Sequence, residues 1–289
     1  MSRYVIVVES GADVPPERAK GLGIEIVPMH VAINGRTFDD GSIDSDELLA
    51  ECEQTGTIST TSAATPADFQ AAFDRIHAKH PWAHILHLAY SAATTTSYES
   101  ALSAAEGRDY VTSIDTKSVS GGQYYIASEV AHLLRENPEM PLDELRAEIE
   151  DLIRHVRMGF IPGGLEFLKK GGRLSNAAYL GAQILRIKPV IEIENGKLVA
   201  TRKLRGGMHK VVADFIDDFL MREPLDMDRA VLIYNHGLDP EIRAQAEERL
   251  RIAGFQSFEW IKTGCVIASH CGPGSFGLVV EATEPEFTE

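Results

Sequence analysis

Two runs of hydroxyl side chains, Ser59-Thr60-Thr61-Ser62 and Thr94-Thr95-Thr96-Ser97, are the first residues here that could do chemistry. Hydroxyls set beside the N–H groups that open a helix suit a carboxylate or a phosphate. Helix capping is the simpler reading for any one of them. Two runs, each leading into a helix, together point to a site. The segment Leu165-Glu166-Phe167-Leu168-Lys169-Lys170-Gly171-Gly172-Arg173-Leu174-Ser175 adds a cation. Two glycines stop a short helix, and Arg173 leaves the turn where its planar fork could hold an anionic group. The bland alternative is a C-cap whose lysines complement the helix dipole. The Gly-x-x-x-x-Gly-Lys-Ser/Thr order of a phosphate loop is absent.

His270 lies beside Gly272-Pro273-Gly274-Ser275-Phe276-Gly277. This hexapeptide satisfies Gly-x-Gly-x-x-Gly, but a dinucleotide site needs a helix next, and Leu278-Val279-Val280 is β-like. A tight glycine turn is the plain reading, and a turn whose N–H groups face an anion is the functional one. Cys265, His270 and Cys271 fit no standard zinc spacing, and a fourth ligand is lacking, so no metal is expected. Ser10, Asp115 and His270 exist, yet there is no Gly-x-Ser-x-Gly elbow to support a hydrolase triad.

The elements that must hold these residues alternate in the first half of the chain. Tyr4–Val8, Ile85–Leu88 and Val111–Ile114 read as strands. Thr65-Pro66 opens a helix with Phe69, Ala72, Phe73 and Ile76 on one face. Tyr98–Glu106, a segment around Ile126–Leu134, and Pro141–Val156 are further helices. Alternating strands and helices imply a parallel sheet, and the loops beyond its strand ends form a ligand crevice. After Met158 the pattern changes. Asn195-Gly196 between Val190–Glu192 and Leu198–Ala200 signals a hairpin. Strands are expected at Ala230–Tyr234, Cys265–Ser269 and Phe276–Glu281, and helices at Met208–Leu220 and Pro240–Ala253. The expected fold class is α/β: an N-terminal domain, 1–158, with a mainly parallel sheet and flanking helices, and a C-terminal α+β domain, 159–289, with a partly antiparallel sheet.

The 289 residues leave room for two such domains. The net charge of −15 repels nucleic acid and anionic membranes, and no basic patch offsets it. The mean hydropathy is −0.11, and no apolar run is long enough to cross a bilayer. The first residues go straight into a short strand, unlike a signal peptide. Three cysteines without a Cys-x-x-Cys argue against a disulfide framework and for a reducing cytoplasm.

Taken together, several segments resemble the DegV family, bacterial fatty-acid-binding (FakB-like) proteins. Glu9-Ser10-Gly11-Ala12-Asp13-Val14-Pro15 is similar to the family's Asp-Ser-Thr-x-Asp-Leu-Pro, and Ile26–Val31 with Phe38-Asp39-Asp40-Gly41 to its second strand and the segment after it. Thr61-Ser62-Ala63-Ala64-Thr65-Pro66 resembles Thr-Ser-Gln-Pro-Ser-Pro, and Thr95–Ala101 resembles Ser-Gly-Thr-Tyr-Gln-Ser-Ala. Leu165–Ser175 is similar to Leu-Glu-Tyr-Leu-x-x-Gly-Gly-Arg-Ile-Ser, Ile187–Val190 to Ile-Lys-Pro-Ile, and Ser269–Gly274 to His-x-Gly-Pro-Gly. The matches run in order along nearly the whole chain.

The resemblance implies a two-domain carrier that is not itself an enzyme, with a long-chain fatty acid as ligand between the domains and no cofactor. It implies a partner fatty acid kinase that phosphorylates the bound carboxylate, giving an acyl-phosphate for phospholipid synthesis. By position, Thr61 and Thr95 would contact the carboxylate, and Ser62, Thr96, Arg173 and His270 would form the polar end. The default state is a monomer. Thr96 stands where the family has glycine, so a positive φ there would strain it. Two alternatives remain: a small hydrolase or transferase using His270 with a hydroxyl nucleophile, and a lipid carrier or sensor without a kinase. The acyl length and the kinase's identity are left open.

Overall fold

The computed structural model describes residues 3–174 and 187–285. Ser175, the last residue of the Gly-Gly-Arg segment, lies outside them. The first elements are β1 (Tyr4–Glu9), α1 (Pro16–Leu22), β2 (Ile24–Val27), β3 (His30–Ile33), β4 (Arg36–Asp39), α2 (Ser45–Thr55), β5 (Thr60–Ser62) and α3 (Pro66–Lys79). They are followed by β6 (His84–Ala89), α4 (Ser97–Ala105), β7 (Val111–Asp115), α5 (Ser120–Glu136) and α6 (Leu142–His155). The rest comprises β8 (Val156–Ile161), α7 (Leu165–Gly171), β9 (Ile187–Glu194), β10 (Lys197–Arg205), α8 (Met208–Met221), β11 (Leu225–Tyr234), α9 (Pro240–Ala253), β12 (Ser257–Lys262), α10 (Cys265–Cys271) and β13 (Phe276–Ala282).

The N-terminal part forms a parallel sheet in the order β2-β1-β6-β7, as alternation predicts. Helix α3 starts on a capping box: Thr65 accepts from the Asp68 N–H while Asp68 accepts from the Thr65 N–H. The run Ile26–Val31, expected as one strand, is two. Pro28 supplies no N–H for a ladder, so β2 stays in the parallel sheet and β3 joins a separate sheet of order β4-β3-β5. Asn34-Gly35, both at positive φ, turns β3 into β4, a hairpin the sequence reading left unassigned.

The second sheet has the order β10-β9-β8-β13-β11-β12 and is antiparallel except for β11 with β12. Asn195-Gly196, again both at positive φ, makes the expected hairpin. Because β8 opens at Val156, the expected cut after residue 158 passes through a strand of this sheet. Strand β12 lies outside the elements expected from the sequence. Cys265–Ser269, expected as a strand, is helical in α10. A short buried apolar run does not distinguish strand from helix by periodicity, and here distant carboxylates decide the outcome, as shown below.

Helix α5 lies between the two sheets and is buried along most of its length. Its opening glycines permit the approach. A Cβ on Gly121 would sit 2.6 Å from Ile233 Cδ1, and one on Gly122 would sit 2.1 Å from Ser118 Oγ. The apolar cluster around α5 is continuous across both sheets. A second cluster fills the outer face of the six-stranded sheet beneath α8 and α9.

Candidate functional site

In the parallel sheet the chain runs from β1 to β2 on one side and later crosses to β6 on the other. The crevice at such a reversal, beyond the strands' carboxyl ends, is where open α/β sheets hold ligands. A cavity lies there, at the place where such a fold holds a small molecule. Residues just past β6 and β7, including Tyr90, Thr95 and Ser120, form one wall. Met158, Phe160, Ile233 and Phe276 from the second sheet form the other, with Leu168 and Met29 between. The polar lining includes Thr61, Thr95, Arg173 and His270, with further hydroxyls from Ser62, Thr94, Ser120, Thr263 and Ser275.

His270 is placed by α10. That helix begins where two buried carboxylates from the N-terminal part accept its first N–H groups. Asp13 accepts from Gly264 N at 2.6 Å, and Asp40 accepts from Cys265 N at 2.8 Å. Asp13 also accepts from Ser120 Oγ at 2.5 Å. Burial raises the pKa of both carboxyls above the usual carboxylate range, against these hydrogen bonds. Farther along, α10 is strapped to the segment leading through β5. Ser59 Oγ meets Ser269 Oγ at 2.7 Å, and Thr61 Oγ1 meets His270 Nε2 at 2.8 Å. Gly171 closes against the other side of the imidazole, since a Cβ there would lie 2.1 Å from His270 Nδ1. Burial first, and the Arg173 guanidinium second, push the imidazole pKa down to about 4, so His270 is neutral at pH 7.

Thr95 lines the cavity from the loop between β6 and α4, and its Oγ1 accepts from Ser97 N at 3.4 Å. Ser97 Oγ in turn accepts from Ala64 N at 3.2 Å, which ties the two hydroxyl runs together. Ser62 lines the cavity at its exposed side, next to Thr61 on β5. Arg173 is exposed and donates to Gly171 O at 2.9 Å. Thr96 is the exception among the six expected residues. It is the exposed N-cap residue of α4 and is not on the cavity wall. Its φ of −89° is ordinary, so the replacement of glycine brings no backbone strain.

The glycine turn after α10 is structural. Gly272 and Gly274 have φ of +71° and +77°. The turn's N–H groups are all engaged: Gly272 N donates to Ala268 O, Gly274 N to His236 O and Ser275 N to Asn235 Oδ1. The anion-facing reading of this turn therefore fails. Ser10, Asp115 and His270 form no hydrolase triad, as the missing elbow implies. Ser10 Oγ accepts from Met29 N, and Asp115 accepts from Ala92 N and Lys117 N. Cys265 Sγ contacts Ile43 O, and burial pushes both its thiol and that of Cys271 up to about 12. Among the described residues, the group whose ligand atoms converge as for a metal is the exposed His209, Asp239 and Glu241, which includes neither these cysteines nor His270.

Several supports were not visible in the sequence. Asn235 is 1% exposed and donates to Gly272 O at 2.6 Å while accepting from Ser275 N, so it holds the turn from both sides. Lys188 Nζ donates to Gly163 O at 2.7 Å, fixing the loop between β8 and α7. Glu9, fully buried, accepts from Tyr90 N and Gln123 Nε2 and lies 3.3 Å from His87 Nε2, anchoring the start of the Thr95 loop. The Ile-Lys-Pro and opening acidic segments of the resemblance contain Lys188 and Glu9, and no motif contains Asn235.

The family model described as an uncharacterised DegV family protein matches residues 3–283. A DegV domain-containing protein from Clostridium acetobutylicum is 28% identical over 282 residues, 96% of this chain and 98% of its own. Among solved structures, a DegV family protein from Thermus thermophilus, described by its fatty acid binding, superposes with a TM-score of 0.84 at 27% identity. It covers 98% of this chain and 100% of its own. A DegV family protein from Ruminococcus gnavus, described with vaccenic acid, shares the fold at a TM-score of 0.83 and 22% identity, over 97% and 100% of the two chains. No helix among the described residues is long and apolar enough to cross a membrane. The chain belongs to the DegV family.

Proposed function

We propose that this protein binds a long-chain fatty acid in the cavity between its two sheets and presents the carboxylate to a partner fatty acid kinase, which forms the acyl-phosphate used in phospholipid synthesis. It is then a cytoplasmic carrier, a monomer of two domains parted near residue 158, and the phosphoryl chemistry belongs to the partner. The observation that carries this reading is one cavity with apolar side chains from both sheets and the hydrogen-bonded Thr61–His270 pair, with Arg173, in its polar lining. Burying a tail contributes about 0.8 kcal/mol per CH2, so about a dozen methylenes supply roughly 10 kcal/mol before the cost of ordering the chain. The carboxylate opposes burial unless it is met by donors.

Thr61 and Thr95 are the proposed donors. With the His270 proton on Nε2, the imidazole donates to Thr61 Oγ1 and leaves the Thr61 hydroxyl proton for the ligand. Thr95 Oγ1 accepts from Ser97 N and lies 3.4 Å from Ser97 Oγ; with the Ser97 hydroxyl donating in that contact, the Thr95 proton is left for the ligand. Arg173 supplies positive potential at the exposed end, and Ser62 lies beside it on the wall. Thr96 stands beside this end at the N-cap position of α4, where its side chain makes no capping hydrogen bond.

The Thr61–His270 pair, at 2.8 Å, is also what a hydroxyl nucleophile with a base would look like. Two features weigh against that enzyme. Among the described residues His270 Nδ1 has no partner to orient it, and the neighbouring turn has no free N–H for an oxyanion. Incubation with a fatty acid kinase, a fatty acid and labelled ATP tests the carrier reading. Thr95→Ala and Arg173→Ala should impair acyl-phosphate formation more than tail binding. Unchanged transfer in both variants removes these assignments. Binding without transfer by any kinase tried supports the sensor alternative.

A further inference from the structure

Two carboxylates meet in the interior without a cation. Asp13, shortly after β1, and Asp40, directly after β4, are 6% and 7% exposed. They come together at the start of α10, where Asp13 accepts from Gly264 N and Asp40 from Cys265 N. A Cβ on Gly264 would lie 3.3 Å from Asp13 Oδ1 and 3.0 Å from Asp40 Oδ1. These oxygens are therefore no more than about 6 Å apart, close enough for each charge to oppose the other. The other groups that face Asp13 are neutral at pH 7: Ser120 of α5, Tyr90 beyond β6, and Cys271 of α10. Cys265, beside Asp40, is a neutral thiol as well. Lys262, two residues before Gly264, is engaged by Asp44 and Asp46 instead. Among the described residues neither buried carboxylate has a cationic partner, and Asp40 Oδ2 accepts no hydrogen bond. Two such charges are not both ionised cheaply, so the pair retains a proton.

We propose that fatty-acid binding is linked to this pair, which takes up a proton from solvent when the ligand's carboxylate enters and returns it on release. The linkage rests on the fatty-acid reading above. Helix α10 joins its two ends, because His270 follows Gly264 by six residues, about 9 Å along a helix. A third negative charge about 10 Å from the pair, at an effective dielectric near 20, raises the pair's affinity for a proton on the order of tenfold. Ser120 connects the pair to the cavity, since it lies on the cavity wall. With Asp13 ionised, the Ser120 hydroxyl donates to Asp13 Oδ2. With Asp13 protonated at that oxygen, the carboxyl donates instead and the Ser120 proton turns to the cavity. By reciprocity, the acid binds more tightly as the pH falls through the pair's titration.

The test is titration calorimetry of lauric acid into delipidated wild-type protein and the Asp13→Asn/Asp40→Asn double variant. Each pH from 5.5 to 8.5 is measured in two buffers of unequal ionisation enthalpy, which gives the protons taken up per ligand. The ionisation of lauric acid and of His270 is common to both proteins, so the difference between them is read. Wild type should take up about half a proton more per ligand at its maximum, and its affinity should gain about tenfold more on acidification than the variant's. The single variants Asp13→Asn and Asp40→Asn should move in the same direction, and they carry the comparison if the double variant does not fold. Binding by all proteins with equal proton uptake and one common pH dependence would overturn the linkage while leaving the fatty-acid reading intact. Failure of the wild type to bind lauric acid or any longer acid would overturn both.

Discussion

Gly171→Ala probes the most confined contact at the polar end. Gly171 is the last residue of α7, and the left-handed position belongs to Gly172 after it. Helix propensity alone would make alanine favourable there by about 1 kcal/mol. The added Cβ, however, would lie 2.1 Å from His270 Nδ1, so the imidazole must move. Its way is restricted on the far side by the 2.8 Å hydrogen bond to Thr61. Losing that bond costs about 1 kcal/mol, and overpacking a filled site costs about 1–3 kcal/mol. The net expectation is a loss of about 1–3 kcal/mol, a drop of several degrees in Tm at about 2–4 °C per kcal/mol. Fatty-acid retention should fall with it, because Thr61 loses its partner. Gly172→Ala is the control: at φ +63° with open space around it, it should cost about 1–2 kcal/mol of backbone strain yet leave retention unchanged. Thermal melts and retained ligand are measured on both. A Gly171→Ala protein as stable as wild type, with full retention, would refute the claim that this glycine exists for the imidazole.

The remaining predictions concern the same end of the molecule. His270 has a folded-state pKa lowered from 6.5 to about 4, so between those values the unfolded chain binds the proton and the folded one does not. Its contribution is complete above pH 6.5 and is lost as the pH falls towards 4, by about 3 kcal/mol at most. Asp13 and Asp40 titrate with the opposite sign, so the readout is the difference between wild type and His270→Gln in urea denaturation at each pH, and a difference that stays flat refutes it. Asn235→Ala strands Gly272 O and Ser275 N in the interior and should destabilise by about 2–4 kcal/mol; a urea midpoint within error of wild type would show that the turn does not need it.

How much of this was readable in the sequence follows from how local each cause is. The helix start at Thr65-Pro66 and the Asn195-Gly196 hairpin are set by neighbouring residues, and both stand as read. The family resemblance is legible for the same reason, since its motifs are contiguous. Helix α10 departs from the expected strand because its start depends on Asp13 and Asp40, which are 251 and 225 positions away from the N–H groups whose hydrogen bonds they accept. The run Cys265-Val266-Ile267 carries β-type residues, and no neighbouring residue announces the caps. Thr61 and His270 were each singled out, but their direct bond spans 209 positions and could not be read. Asn235 and Gly171 carry no sequence signal for their roles, because each acts through the side of a distant turn or ring.

The most direct measurement of the central claim is the intact mass of the protein as purified from cells under native conditions. The account predicts a population heavier than the polypeptide by the mass of one long-chain fatty acid, released on denaturation. A protein that carries no acyl mass, and takes up none when supplied with palmitic or oleic acid, would contradict it.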